Sequence, residues 1–411
     1  MQTTTLQIAW RNFGRNTKRT ALAILAIAVG QFALLAADGL MRGYADNIRL
    51  AITGPMIGHV QVHAAEWRQE RAIDLVIEDT ERIVGQIQAD PSVMSAAARI
   101  YAPALFAPEQ DAFVAMVVGL QCEIESHEWG LLSGMSEPLE KGKVLIGYRL
   151  ARKTGAKVGQ EIAVVGQAAD GSLANDLYVI QDIIKCPADI VNQSGVVMSL
   201  DDAQQLLYMP NAAHEIVVRT NQSGQAKQLS ERLRQMEGLN GAEVLPWQEL
   251  VPELVVLLDM SDWVGYFVVV IVCIAALAGI ANTLIMSTFE RMHEFGMLLA
   301  LGSRPRRIVR MIVYEAILTG LLGVAGGTLL GYVFVWVTSS TGIDMASWGG
   351  SGGEVADMAY KGLNLPLHIY PRLEISDTLL GLAAIMATSL VGSVWPAWIA
   401  GRLEPMEAMR A

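Results

Sequence analysis

The chain carries the residue types that do chemistry, but not at the spacings chemistry needs. Nucleotide binding through a P-loop requires a Gly-Lys pair with a second glycine five residues before it, so that backbone N–H groups cradle the phosphates. Gly142-Lys143 is the sole Gly-Lys pair, and Glu137 stands where that glycine belongs. His127-Glu128, His214-Glu215 and His293-Glu294 none continue to HExxH, which excludes the zinc-protease arrangement. Three cysteines form no CxxC and no Cys/His cluster, so neither a disulfide framework nor a structural metal is indicated. Gly349-Gly350-Ser351-Gly352-Gly353 matches GxSxG, yet a nucleophilic serine needs a strand-to-helix turn and a nearby base. Here the serine sits in a glycine run, with its nearest histidine, His368, in another irregular stretch, so a loop is expected. Asp38 and Glu315 are the carboxylates nearest the interiors of apolar stretches, where an ionisable group is a functional candidate by default. Both lie near the end of their stretch, and Arg42 follows Asp38 by four residues, which points to interfacial placement.

The elements available to position anything are set by composition. Of 411 residues 52% are hydrophobic and 17% charged, with mean hydropathy +0.36. Soluble domains carry about 25% charged residues. A net charge of −11 is the wrong sign for coating nucleic-acid phosphates. Four stretches approach the roughly 20 apolar residues a membrane-spanning helix needs: Ala21 to about Leu40, Trp263 to Met286, about Met311 to Val337, and Thr378 to Ala400. Arg11, Arg15, Lys18 and Arg19 precede the first, Arg291, Arg304, Arg306, Arg307 and Arg310 separate the second from the third, and Arg402 and Arg410 follow the fourth. By the positive-inside rule all three sides face the cytoplasm, which places both termini inside. The first stretch also begins like a secretory signal peptide, but it exceeds the 7–15 apolar residues of a signal core, so it is expected to remain as a span. Trp10, Trp395 and Trp398 then fall at the inner interface, and Trp263, Tyr266 and Trp336 at the outer one.

Residues 43–260, with 16 basic and 29 acidic residues, are therefore expected outside. Alternation at His59–His63, Ala112–Leu120, Glu161–Val165 and Ile216–Arg219 predicts strands. Ser223–Glu237 and Ser199–Leu207 predict helices with serine N-caps. The region is long enough for its own mixed α/β core, expected in two lobes. Cys122 and Cys186 both lie here, and the sequence leaves open a disulfide or two buried thiols. In the third span Gly323, Gly327 and Gly331 form a GxxxGxxxG run that permits close helix packing.

One stretch says more. Residues 282–310 read NTLIMSTFERMHEFGMLLALGSRPRRIVR. Glu290, Arg291 and Glu294 are expected on one helical face and Phe295, Met297, Leu298 and Leu299 on an apolar one, before Gly302-Ser303 and Pro305 break the helix. A plain cytoplasmic loop needs no apolar face. An amphipathic one implies docking, to the bilayer surface or to a soluble partner. This stretch resembles the NxxxxSxxERxxEfGxLxAlGxxxxxI segment of the FtsX/MacB-type (type VII) ABC transporter permeases. Ala9–Asn12 with Arg15, Arg19 and Thr20 resembles that family's WRNxxRxxxRT elbow. Leu145–Val164 is similar to a segment of its periplasmic core domain, and Pro396–Arg410 to its PAxxAxrldPxeALR ending. The layout is closest to the LolC/LolE lipoprotein-releasing permeases.

The resemblance implies an α-helical membrane protein with four transmembrane helices, one plus three, and a large mixed α/β periplasmic domain. Its expected plan is an elbow at 1–20, spans at 21–42, 261–286, 311–337 and 378–400, a periplasmic core at 43–260, a coupling helix and loop at 287–310 (helix about Ser287–Leu299), a periplasmic loop at 338–377 and a cytoplasmic tail at 401–411. Glu290, Arg291, Glu294, Phe295, Gly296, Leu298, Ala300, Leu301 and Gly302 would couple the chain to a separate dimeric ABC ATPase. That partner, rather than this chain, would bind ATP and Mg and carry the catalysis. A second permease chain, identical or homologous, would complete the inner-membrane complex. Its cargo would be a lipoprotein or amphipathic periplasmic substrate, with a periplasmic carrier or adaptor. A MacB-like efflux of drugs, peptides or siderophores through an outer-membrane channel and an FtsX-like transmission of motion to a cell-wall hydrolase are the alternatives the family implies.

Overall fold

The computed structural model describes residues 17–109, 111–127, 129–133, 135, 137–344, 359–360, 363–364 and 368–402. The expected elbow before Thr17, the glycine loop around Ser351 and the ending after Arg402 lie outside the described residues. The chain divides into two units: residues 1–46, 257–345 and 368–411, and residues 47–256 and 346–367.

Among the described residues, four helices are long and apolar enough to cross a membrane: Thr17–Thr53, Pro252–Glu290, Pro305–Thr341 and Ile375–Gly401, here the first to fourth long helices. In the first unit they are packed through small and branched residues, among them Ile27, Ala276, Ile280, Ala316, Val324 and Ile385. Their outward faces are apolar too, with Leu22, Phe267, Ile271, Leu329, Leu380 and Val391 exposed. Helices hydrophobic all round suit surroundings that are themselves apolar. Trp263, Tyr266, Trp336, Trp395 and Trp398 are likewise exposed. The glycine run seats the third long helix against the first. A Cβ on Gly323 would meet Ile27 Cγ2 at 2.5 Å, one on Gly327 the Ala28 carbonyl oxygen at 2.4 Å, and one on Gly331 Leu35 Cβ at 2.9 Å. Near Asp38, Arg42 pairs with Asp38 (3.5 Å), Glu374 (3.4 Å) and Asp377, tying the first long helix to the start of the fourth.

Among the described residues, the main sheet of the second unit has nine strands: β1 Val60–His63, β2 Val93–Ala107, β3 Phe113–Leu120, β4 Lys143–Gly147, β5 Glu161–Gln167, β6 Leu173–Ile184, β7 Gly195–Ser199, β8 Glu215–Thr220 and β9 Glu243–Pro246. Their order is β3-β7-β4-β6-β5-β2-β8-β1-β9, and β2 also pairs with β3, so six strands close into a ring. The fifteen-residue β2 makes this geometry. Its first half pairs with β8 along one edge, its second half with β5 along that same side, and β3 runs along the other. The two lobes expected from length therefore share a strand. Ring and open sheet both bury β-branched and small residues; Val118, Leu145 and Val197 of the ring strands pack in one core cluster with Val191 of the helix Asp189–Ser194. The helix predicted at Ser199–Leu207 forms at Leu200–Leu206, with Ser199 Oγ accepting from the Asp202 N–H. The one predicted at Ser223–Glu237 is shorter, a 3₁₀ turn followed by Ala226–Leu233. Cys122 and Cys186 are free thiols, each pushed up to about 11 by burial.

Candidate functional site

The chain leaves the second long helix at Glu290, turns at Arg291, and forms a short helix, Met292–Ala300. Arg291 abandons helical geometry (φ −108°, ψ 10°), which corrects the expectation that Glu290, Arg291 and Glu294 share one continuous helical face. Glu290 closes one helix and Glu294 opens the next. The predicted start at Ser287 likewise falls inside the second long helix. The break lets the Arg291 side chain turn inward. Its Nη1 lies 3.1 Å from Glu315 Oε2, and its guanidinium lies over the Phe295 ring at 5.0 Å. Ser287 Oγ donates to the other oxygen of Glu315 at 3.4 Å. One carboxylate on the third long helix thus latches the second long helix and the short helix, with Glu294 3.5 Å from the same arginine.

The apolar face of the short helix seats it. Phe295 is buried with Ile308, Ile312, Ala397 and Ala400, and Leu298 and Leu299 pack against that cluster. Gly296 is buried beside Phe295. A glycine-terminated turn ends the helix: the Gly302 N–H donates to the Leu299 carbonyl at 2.9 Å and the Ser303 N–H to the Leu298 carbonyl at 3.0 Å. Gly302 sits at φ +86°, the left-handed geometry this turn requires. Arg304 and Pro305 then start the third long helix, proline taking a first-turn position whose N–H would have no helical partner.

The nine residues predicted to couple therefore divide. Arg291, Phe295, Gly296 and Leu298 face the bundle and hold the short helix in place, and Glu294 is half-buried beside Arg291. Glu290, Ala300, Leu301 and Gly302 are exposed, Leu301 at 84%. Phe289 and Met297, about half exposed, lie on the outward side as well; Met297 belongs to the apolar face expected to dock, whereas Phe289 was not singled out. Sequence reasoning also missed the latch role of Glu315. The available signal was a carboxylate in an apolar run, opposite the arginine that interrupts the neighbouring helix.

A second polar construction lies in the other unit and had no signal in the sequence. Arg99 on β2 and Arg219 on β8 flank Glu125, all three buried. Arg99 Nη2 is 2.7 Å from Glu125 Oε1, Arg219 Nη2 is 3.4 Å from Oε2, and the Leu131 N–H donates to Oε2 at 3.0 Å. The two guanidinium groups also donate to backbone: Arg219 Nε to the Gly54 carbonyl (2.8 Å), Arg99 Nη2 to that of Pro55 (2.7 Å) and Nη1 to that of Met56 (2.6 Å). Trp129 covers Arg219, 4.5 Å from ring centre to guanidinium carbon. Burial alone would raise Glu125, but the two arginines hold it below the usual carboxylate range. Burial lowers Arg219 to about 10. His59 falls to about 4, from burial first and the Arg219 charge second, and its Nδ1 accepts from the Thr220 N–H. The three residues after the first long helix are thereby fastened to the sheet.

No group of three or more His, Cys, Asp or Glu side chains suited to a metal ion occurs among the described residues.

Comparison with known proteins agrees with this architecture along the whole chain. A family model described as FtsX-like permease C-terminal matches residues 266–405. One described as MacB-like periplasmic core domain matches residues 20–236, more than half of the chain. The chain is similar to the lipoprotein-releasing system transmembrane protein LolC of Xylella fastidiosa, at 22% identity over 94% of this chain and 92% of that protein. It is also similar to LolE of Haemophilus influenzae, at 21% identity over 98% of each. The macrolide export ATP-binding/permease protein MacB of Syntrophobacter fumaroxidans is 25% identical, over 64% of this chain but 34% of that protein. The chain belongs to the ABC transporter permeases of the FtsX/MacB type, with a layout like that of LolC and LolE.

Proposed function

We propose that this chain is an inner-membrane permease subunit that converts ATP hydrolysis by a separate ABC ATPase into motion of its outer α/β unit, and that it releases lipoproteins from the membrane. The observation that carries the coupling is the short helix Met292–Ala300, seated by Phe295 and latched by Arg291–Glu315, with Phe289, Met297 and Leu301 left facing outward. A rigid helix showing apolar side chains beside Glu290 fits a protein partner better than water. The arginines at residues 304–310 and around residue 402 support, by the positive-inside rule, a reading with this corner and both termini in the cytoplasm and residues 43–260 in the periplasm. ATP and Mg belong to the partner; this chain is not itself catalytic. Two permease chains, identical or homologous, pair across the partner's dimer.

Lipoprotein release is favoured over efflux because similarity to LolC and LolE extends over nearly their full length. The test is turnover of the co-expressed ATPase in membranes, together with delivery of lipoprotein to a soluble carrier. Leu301→Asp, at a site too exposed to affect folding, should abolish permease-dependent ATPase turnover and release. The Glu290→Lys/Glu294→Lys double variant should do the same. Unchanged turnover in both would overturn the coupling assignment. Normal turnover without lipoprotein release, in the unsubstituted chain, would overturn the cargo.

A further inference from the structure

The second unit contains a cavity of about 670 Å³. Its walls are mostly apolar and include Met56, Ile57, Trp67, Met116, Ile190 and Leu250. Glu215 also lines it. The Glu215 side chain is only 7% exposed, and its Oε1 has no hydrogen-bond partner. The nearest cation to that oxygen, Arg99 Nη1 at 3.8 Å, balances its charge without bonding to it, while Oε2 faces His63 Nε2 at 3.3 Å. A carboxylate oxygen buried in this way costs free energy unless a donor reaches it.

Arg71 lines the cavity as well, stacked 4.2 Å above the Trp67 ring. Trp67 is held by a one-turn helix, Trp67–Glu70, whose flanking residues Glu66 and Arg71 both adopt left-handed backbone (φ 68° and 53°). For residues with a Cβ that conformation costs on the order of 1–2 kcal/mol each, and such strain collects at ligand clamps. Along the chain, Met56 and Ile57 follow the first long helix by three and four residues, and Leu250 precedes the second by two. The walls therefore include residues of the segments that follow the first long helix and precede the second in the chain.

We propose that this cavity is a binding site for a single-chain amphiphile: one acyl chain along the apolar walls, with a head group that donates a hydrogen bond to Glu215. Volume sets the number of chains. A methylene occupies about the space of a water molecule, about 30 Å³, so the cavity holds roughly twenty such groups, enough for one chain and its head. The site rests on the membrane reading above only for the origin of the chain, a lipid of the outer leaflet or a monoacyl portion of cargo.

The test uses the full chain in lipid nanodiscs and two photoactivatable probes, each with a diazirine on a palmitoyl chain. One is a monoacylglycerol, which offers hydroxyl donors; the other is a methyl ester, which offers none. The monoacylglycerol should crosslink to peptides containing Val114, Met116 and Ile190, and excess unlabelled monopalmitoylglycerol or lysophosphatidylethanolamine should compete. Stronger competition by the second would assign the site to a phospholipid head. The methyl ester should leave those peptides unlabelled. Glu215→Gln should weaken capture about tenfold, the loss expected for a hydrogen bond to a charged group. Val114→Glu, at a position 77% exposed on the same wall, should abolish it without disturbing the core. Wall labelling that is absent, equal for both probes, or unchanged by Val114→Glu overturns the proposal. Both probes should label the four long helices from the bilayer throughout, and failure there would instead overturn the membrane reading.

Discussion

Removing the Glu125 carboxylate while leaving its two arginines is the sharpest test of the buried cluster. Glu125→Ala strips Arg99 and Arg219 of their shared counter-ion and leaves the Leu131 N–H without its acceptor. All three side chains are at most 2% exposed, so water cannot replace what is lost without opening the sheet. Breaking a buried ion pair from one side costs about 3–5 kcal/mol, a large share of the roughly 5–15 kcal/mol that stabilises a domain. For a unit of this size each kcal/mol moves the melting midpoint by about 2–4 °C, so the midpoint should fall by roughly 10 °C. The assay is thermal unfolding of the full chain followed by tryptophan fluorescence, with hydrogen exchange at Leu131 as the local readout. Arg219→Met should cost less, because Glu125 keeps Arg99. A double replacement of Glu125 and Arg219 by apolar residues of similar volume should recover part of the loss, since Arg99 then keeps Glu215 at 3.8 Å as its counter-ion. A fall of under about 2 °C for Glu125→Ala, or a larger one for Arg219→Met, would refute the reasoning that Glu125 is the centre of the cluster.

Other consequences follow from named contacts. Gly327→Leu forces a side chain into the Ala28 carbonyl and Gln31, and overpacking of this kind costs about 1–3 kcal/mol. It should lower the midpoint in detergent, whereas Gly326→Ala, whose added methyl would meet Ala28 Cβ at an ordinary 3.7 Å, should not. Gly302→Ala must hold φ +86° with a Cβ, at a cost of about 1–2 kcal/mol, and should speed amide exchange in residues 292–300; Gly302→Asn should do so less. His59 is held at about 4 against an ordinary 6.5, so the folded chain binds fewer protons than the unfolded one between those values. Stability is therefore full above about pH 6.5 and falls through the window to about pH 4, by roughly 3 kcal/mol. His59→Asn, which keeps an acceptor for the Thr220 N–H, should flatten that part of the melting-midpoint profile.

What could be read in the sequence is what depends on neighbours in the chain. The four long helices are legible because 20 or so apolar residues in a row have few other uses. The strands containing Val60–His63 and Ile216–Arg219 are legible from their bounds and alternation, although both faces of β1 and β8 proved buried. The helix ends were less so. The second long helix begins at Pro252, before its apolar run, because Glu253 and the residues after it satisfy helical geometry without being apolar throughout. The break at Arg291 was invisible for the opposite reason: every residue from Phe289 to Phe295 tolerates a helix, and the inward turn follows a carboxylate 24 residues further on. Hence four of the nine residues predicted to meet a partner are the ones that seat the short helix.

The buried arginines show why long-range capping escapes local rules. A helix ends with carbonyl groups that its own backbone cannot satisfy and with the negative end of its dipole, so a basic residue in the last turn is the usual remedy. The first long helix has none in its last turn. Its cations come instead from Arg99 and Arg219, far along the chain, which reach the carbonyls of Gly54, Pro55 and Met56 just past the helix end. Two cations buried at one place need an anion, and Glu125 supplies it from the short segment after β3. A local cap would have fixed the helix end alone. A cap built from two strands of the sheet also fixes the sheet to the helix end, so a displacement of that end must either move β2 and β8 or break charged hydrogen bonds in a dry site.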